Sequence, residues 1–132
     1  MPETVLQTTV LYVCTTCRRE GDASEGPRAG ARLFAALCER AGDAHRAVRI
    51  EPIECLSGCK RPCTVAVASA GRWTYVYGDL DPAESAGIIL DGVAAYAGTP
   101  DGLVPWRERP AAFRTGAVAR IPPFPPIPEA AE

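Results

Sequence analysis

The chain has 132 residues, with 14 Lys plus Arg against 16 Asp plus Glu, a formal net charge of -2 and 47% hydrophobic residues. That is one globular domain, large enough to build a core without disulfides or a structural metal. No apolar run approaches the roughly 18 to 20 residues of a membrane span and no strongly basic footprint is present, so membrane and nucleic-acid partners are set aside.

The stretch Met1 to Leu11 has no basic segment, apolar run or small-residue cleavage site of the secretory type, and the expected location is the cytoplasm. Clustered cysteines in a reducing compartment more often bind metal or do redox chemistry than form disulfides, so the spacing of the six cysteines is the informative feature.

Residues 5 to 13, rich in β-branched and aromatic types, predict a first strand that delivers Cys14. A polar loop from Thr15 to Gly26 follows. Arg28 to Ala41 then places Leu33, Phe34, Leu37, Cys38 and Ala41 on one helical face, stopped by Gly42, and Cys38 is expected in the core. Val48 to Ile53 predicts a second strand leading into Cys55. Thr64 to Ala68 and Trp73 to Tyr77, around an Ala-Gly turn, predict a hairpin with Trp73, Tyr75 and Tyr77 on one packed face. Asp81-Pro82-Ala83-Glu84 opens a second helix to about Ala97, with Asp81 as cap and Glu84 able to reach back.

This order predicts an α/β fold, a small mixed sheet with two main helices, as in a thioredoxin-like sandwich. The expected domain spans residues 1–104. Six of the 23 residues from Pro110 to Glu132 are proline, so residues 105–132 are expected to form an extended or partly disordered tail, anchored through Trp106, without helix or central strand.

Cys14 and Cys17 form C-x2-C directly after a strand, and Cys55, Cys59 and Cys63 form C-x3-C-x3-C after another. Thiolates are soft ligands for zinc and iron-sulfur clusters, and strand-end loops with two or three intervening residues let a pair curl around one metal. Gly58 and Pro62 favour a loop over a helix in the second group. Three chemistries compete. Four thiolates in two groups can close a zinc site, although zinc ribbons usually pair two similar knuckles. Cys14 and Cys17 alone resemble a dithiol redox pair, although a long polar loop separates them from the next helix. A cluster uses both groups.

Cys55-Leu56-Ser57-Gly58-Cys59, followed by Pro62 and the strand Thr64 to Ala68, resembles the second cluster motif of thioredoxin-like 2Fe-2S ferredoxins and of the ferredoxin-like subunit of respiratory complex I. A wider set resembles a bacterial family described as predicted metal-binding proteins of unknown function. It comprises Val13 to Arg18, Glu54 to Thr64, Trp73-Thr74-Tyr75 with Gly78-Asp79-Leu80, Arg109-Pro110 and Arg120-Ile121-Pro122. The resemblance implies a thioredoxin-like fold, a 2Fe-2S cluster with zinc as the alternative, and Cys14, Cys17, Cys55 and Cys59 as ligands. The ferredoxins have a wider first spacing than Cys14 to Cys17, so either Cys17 or Cys63 supplies the fourth thiolate.

The expected function is a small electron carrier, with a metal-binding accessory protein as the alternative. Arg18, Arg19, Lys60 and Arg61 flank the cysteines in sequence, where their charge would favour the reduced cluster and dock an acidic redox partner. A homodimer is left open. No enzyme constellation is evident: His45 is the sole histidine, there is no Gly-rich phosphate loop, and turn formation and capping account for Asp79 and Asp81.

Overall fold

The computed structural model describes residues 9–17, 26–41, 48–54, 56 and 62–123. Cys55, Cys59, Arg18, Arg19, Lys60, Arg61 and His45 lie outside these residues, as do the two ends of the chain.

Five strands form one mixed sheet in the order β2-β1-β3-β4-β5. They are β1 (Thr9–Cys14), β2 (Val48–Ile53), β3 (Val65–Ser69), β4 (Thr74–Tyr77) and β5 (Ala117–Ile121). β1 runs parallel to β2, and the other pairings are antiparallel. The parallel pair needs a helical crossover, supplied by α1 (Ala29–Ala41). Helix α2 (Ala86–Ala97) packs beside α1, and both touch β1. Pro52 is tolerated in β2 because that strand lies at the sheet edge.

The core joins Leu11 and Val13 of β1, Val65 and Val67 of β3, and Tyr75 and Tyr77 of β4 to the buried faces of the two helices. On α1 that face is Leu33, Leu37 and Ala41. Cys38 is exposed, contrary to the core position expected from the sequence. It follows Leu37 by one residue and so points about 100° round the helix from that stripe. Tyr75 and Tyr77 lie on one buried face with parallel rings 5.7 Å apart, and Trp73 is half-buried. In the hairpin turn, Gly71 takes a φ of +75°, a conformation open to glycine.

Helix α2 ends at Ala97 as expected, but begins at Ala86, after a separate turn. Asp81 caps that turn, its Oδ1 accepting from the amides of Ala83 (2.7 Å) and Glu84 (2.9 Å). The reciprocal bond comes from Ser85, whose Oγ accepts from the Asp81 amide at 2.9 Å in the role the sequence suggested for Glu84.

The C-terminal segment holds more regular structure than its proline count suggests. A 3-10 turn (Trp106–Glu108) leads to a short helix, α3 (Ala111–Thr115), and then to β5. Pro110 precedes the first residue of α3, where its missing amide costs no hydrogen bond, and Ala111 to Ile121 contains no proline. β5 pairs only with β4 and forms an edge. Trp106 does not bury itself, being 60% exposed. Phe113 is the anchor instead, its ring 3.7 Å from that of Tyr77 and nearly parallel to it. Gly92 of α2 makes room for it, since a Cβ there would lie 2.2 Å from the ring. Phe113→Ala is expected to cost about 3 to 5 kcal/mol, read by urea unfolding.

Among the described residues, no helix is long and apolar enough to cross a membrane.

Candidate metal centre

The strand order brings three separate segments to one end of the sheet. Parallel β1 and β2 both finish there, and antiparallel β3 starts there. Cys14 therefore sits between Glu54, after β2, and Thr64, before β3. Its amide donates to the Thr64 carbonyl at 3.1 Å, and its thiol lies 3.7 Å from the Glu54 carbonyl. Thr15 donates to the Ile53 carbonyl through its amide (2.8 Å) and its hydroxyl (3.2 Å), while the Thr16 hydroxyl donates to Glu54. The loop after Cys14 is thus tied to the residues that lead into Cys55.

The loop turns back so that the Cys17 thiol reaches Cys14 Sγ at 3.1 Å, with the two residues 4% and 2% exposed. Burial raises the pKa of both thiols. At Cys14, hydrogen bonds from Cys17, the Leu56 backbone and Thr16 outweigh burial and hold the thiol below its ordinary value. At Cys17, burial and the neighbouring Cys14 push the pKa up to about 11, against hydrogen bonds with the backbone and hydroxyl of Thr64. Glu54 and Leu56, which both touch Cys14, are the sequence neighbours of Cys55 on either side.

The N-terminal end of α1 closes this loop from behind. The Gly30 amide donates to the Cys17 carbonyl at 3.0 Å, and Arg28 Nη1 donates to the Thr16 carbonyl at 3.1 Å. Gly30 has no room for a side chain, because a Cβ there would stand 2.0 Å from the Cys14 carbonyl oxygen. The polar loop that separates Cys17 from α1 in sequence therefore does not separate them in space. Sequence reasoning passed over Gly30 and Arg28. The available signal was a glycine near the start of an alanine-rich helical run, where it costs up to about 1 kcal/mol relative to alanine unless close packing demands it.

Cys63 is fully buried in the hydrophobic core, and its backbone pairs with Leu80 in both directions, at 3.1 and 3.2 Å. Among the described residues, no three His, Cys, Asp or Glu side chains form a group that could hold a metal ion, so Cys63 does not join Cys14 and Cys17 in one. Cys55 and Cys59 lie outside the described residues.

The Cys14 and Cys17 thiols suit a metal or cluster. They are soft, buried and close together, and backbone and hydroxyl groups hydrogen-bond to their sulfurs, as they do around cysteine-held clusters.

A parallel β1-α1-β2 unit extended by an antiparallel hairpin, with a cysteine pair at the strand ends, defines a thioredoxin-like fold. The solved structures agree: a thioredoxin-like 2Fe-2S ferredoxin from Aquifex aeolicus is similar with a TM-score of 0.57 and 19% identity, over 89% of this chain and 96% of that one. A second structure, of the wild-type ferredoxin, gives a TM-score of 0.53 and 18% identity, over 85% and 97%. The chain belongs to the family described as protein of unknown function, DUF1636, which matches residues 11–123. No curated protein matches the sequence.

Proposed function

We propose that this protein is a small cytoplasmic 2Fe-2S electron carrier, not an enzyme, with Cys14, Cys17, Cys55 and Cys59 as ligands. The observation that carries the reading is the buried Cys14-Cys17 pair, 3.1 Å apart, with the Cys14 sulfur hydrogen-bonded to both sequence neighbours of Cys55. The ferredoxin fold of the structural neighbours supports it.

A cluster held by these thiolates supplies one-electron transfer. The chain's own part is to bury the sulfurs, to fix the loop through Thr15, Thr16 and Gly30, and to direct hydrogen bonds from Leu56, Thr16 and Thr64 onto them. Such bonds, with burial, set the potential of a cysteine-held cluster.

The 3.1 Å separation equally suits reversible disulfide formation, which makes a dithiol oxidoreductase the second reading. Iron, zinc and acid-labile sulfide, measured on anaerobically purified protein alongside a visible spectrum, separate the readings. The carrier contains about two irons and two sulfides per chain and bleaches on reduction. A zinc protein gives about one zinc and no sulfide. A dithiol enzyme gives no metal and titrates as one disulfide.

Arg18, Arg19, Lys60 and Arg61, beside the ligands in sequence, form the proposed docking surface for an acidic redox partner. Neutralising Arg18 and Arg61 together is expected to lower the reduction potential by tens of millivolts and weaken partner binding at low salt, because a unit charge at about 7 Å and an effective dielectric of about 20 is worth on the order of 100 mV before solvent screening. Protein-film voltammetry reads the first effect, and unchanged values for both rule out the role.

A further inference from the structure

Three segments that the cysteine site does not use meet at the β4-β5 edge, two strands away from β1 in the sheet. Tyr75 and Arg120 are register partners across that edge. The Arg109 guanidinium lies 5.2 Å from the Tyr75 ring centre and 5.7 Å from that of Trp106. Its Nε donates to the Val104 carbonyl at 2.9 Å and its Nη2 to the Tyr75 hydroxyl at 3.3 Å. The Arg120 guanidinium lies 5.0 Å from the centre of the Trp73 ring. An open cleft of about 380 Å³ is lined by Tyr75, Arg109, Ala117, Val118, Ala119 and Arg120.

Among the described residues, that lining carries two positive charges and no carboxylate. Among the described residues, the ion pair is Arg49 with Glu51, and neither Arg109 nor Arg120 has an acidic partner. Stacking and the Val104 carbonyl fix the Arg109 guanidinium, yet its Nη1 has no hydrogen-bond partner among the described residues. A core role for Arg109 explains the stacking on Tyr75, but not a second guanidinium at the same cleft that also lacks an acidic partner among the described residues. Two like charges at one cleft repel, and a shared anion removes that cost. Stacked arginines lose little further side-chain entropy on binding, and their planar forks match carboxylate and phosphate oxygens. The volume suits a small molecule.

We propose that this cleft binds a small doubly charged oxyanion, a phosphate monoester or a dicarboxylate, bridged between Arg109 and Arg120. The two tryptophans of the chain, Trp73 and Trp106, stack on these two guanidinium groups, so intrinsic fluorescence reports on the cleft.

The test titrates the full-length protein with inorganic phosphate and, separately, with malonate at constant ionic strength, reading tryptophan emission and confirming affinity by calorimetry. A saturable change with at least one anion is expected, weakened at least about tenfold in Arg120→Gln, as loss of a charge-assisted contact implies. Arg120 is exposed on an edge strand, so the variant keeps the fold. Saturation by phosphate alone identifies a phosphate monoester as the ligand class, and by malonate alone a dicarboxylate. No saturable change with either anion, or equal affinity in Arg120→Gln, overturns the proposal.

Discussion

Cys14→Ser is expected to remove the visible absorption and reduce bound iron from about two per chain to a small fraction of that, because a hydroxyl is a poor ligand for iron that thiolates hold. Cys14 is the residue on which the site converges: its thiol contacts Cys17, Thr16 and Glu54, and its amide is tied to Thr64. Cys17→Ser is expected to have the same effect. Cys63→Ser is expected to separate stability from cluster binding. Cys63 is fully buried among apolar side chains, so a serine there costs about 1 to 3 kcal/mol of stability while the spectrum survives. Loss of the spectrum in Cys63→Ser with retention in Cys17→Ser would make Cys63 the fourth ligand.

Gly30→Ala separates two physical effects of opposite sign. Helix propensity alone predicts a gain of at most about 1 kcal/mol from replacing a glycine in the first turn of a helix by alanine. The structure predicts a net loss. The new Cβ would lie 2.0 Å from the Cys14 carbonyl oxygen and 3.2 Å from the Cys17 amide nitrogen, both backbone atoms that no rotamer change can move. Either α1 or the cysteine loop must shift, at a cost of about 1 to 3 kcal/mol, and the thiol pair loses its spacing. Urea unfolding measures the sign, and iron retention through gel filtration measures the effect on the site. A stabilised variant with full iron content would show that α1 does not hold the loop.

The elements that sequence made legible are those whose pattern is local. A β-branched run ending in Cys14, a 3.6-residue apolar stripe on α1 and an Ala-Gly turn each announce themselves within about ten residues. The order of these elements was enough to indicate a thioredoxin-like sandwich. Less legible was anything decided by long-range packing. Averaging proline over residues 110 to 132 concealed the proline-free run from Ala111 to Ile121, which forms α3 and β5. Trp106, beside Pro105, is the anchor the sequence offers, but Phe113 is the ring that reaches Tyr77. Cys38 falls on the apolar face that the pattern of Leu33, Phe34, Leu37 and Ala41 predicts, yet it lies about 100° round the helix from the buried stripe of Leu33, Leu37 and Ala41 and is exposed.

The candidate site divides in the same way. C-x2-C after a strand pointed to Cys14 and Cys17, and the structure places their thiols in contact. The roles of Gly30, Arg28 and Thr64 depend on α1 folding back and on β3 starting beside β1, neither of which the cysteine spacing encodes. The burial of Cys63 reflects its backbone pairing with Leu80, a contact between residues 17 positions apart. C-x3-C-x3-C reads the same whether its third thiol faces a metal or the core.

The most direct test of the electron-carrier reading is electron paramagnetic resonance of the anaerobically purified protein before and after reduction with dithionite. A silent oxidised sample is expected and, on reduction, an axial or rhombic signal integrating to about one spin per chain, lost in Cys14→Ser. A reduced sample that remains silent, with no acid-labile sulfide in the same preparation, would contradict that reading.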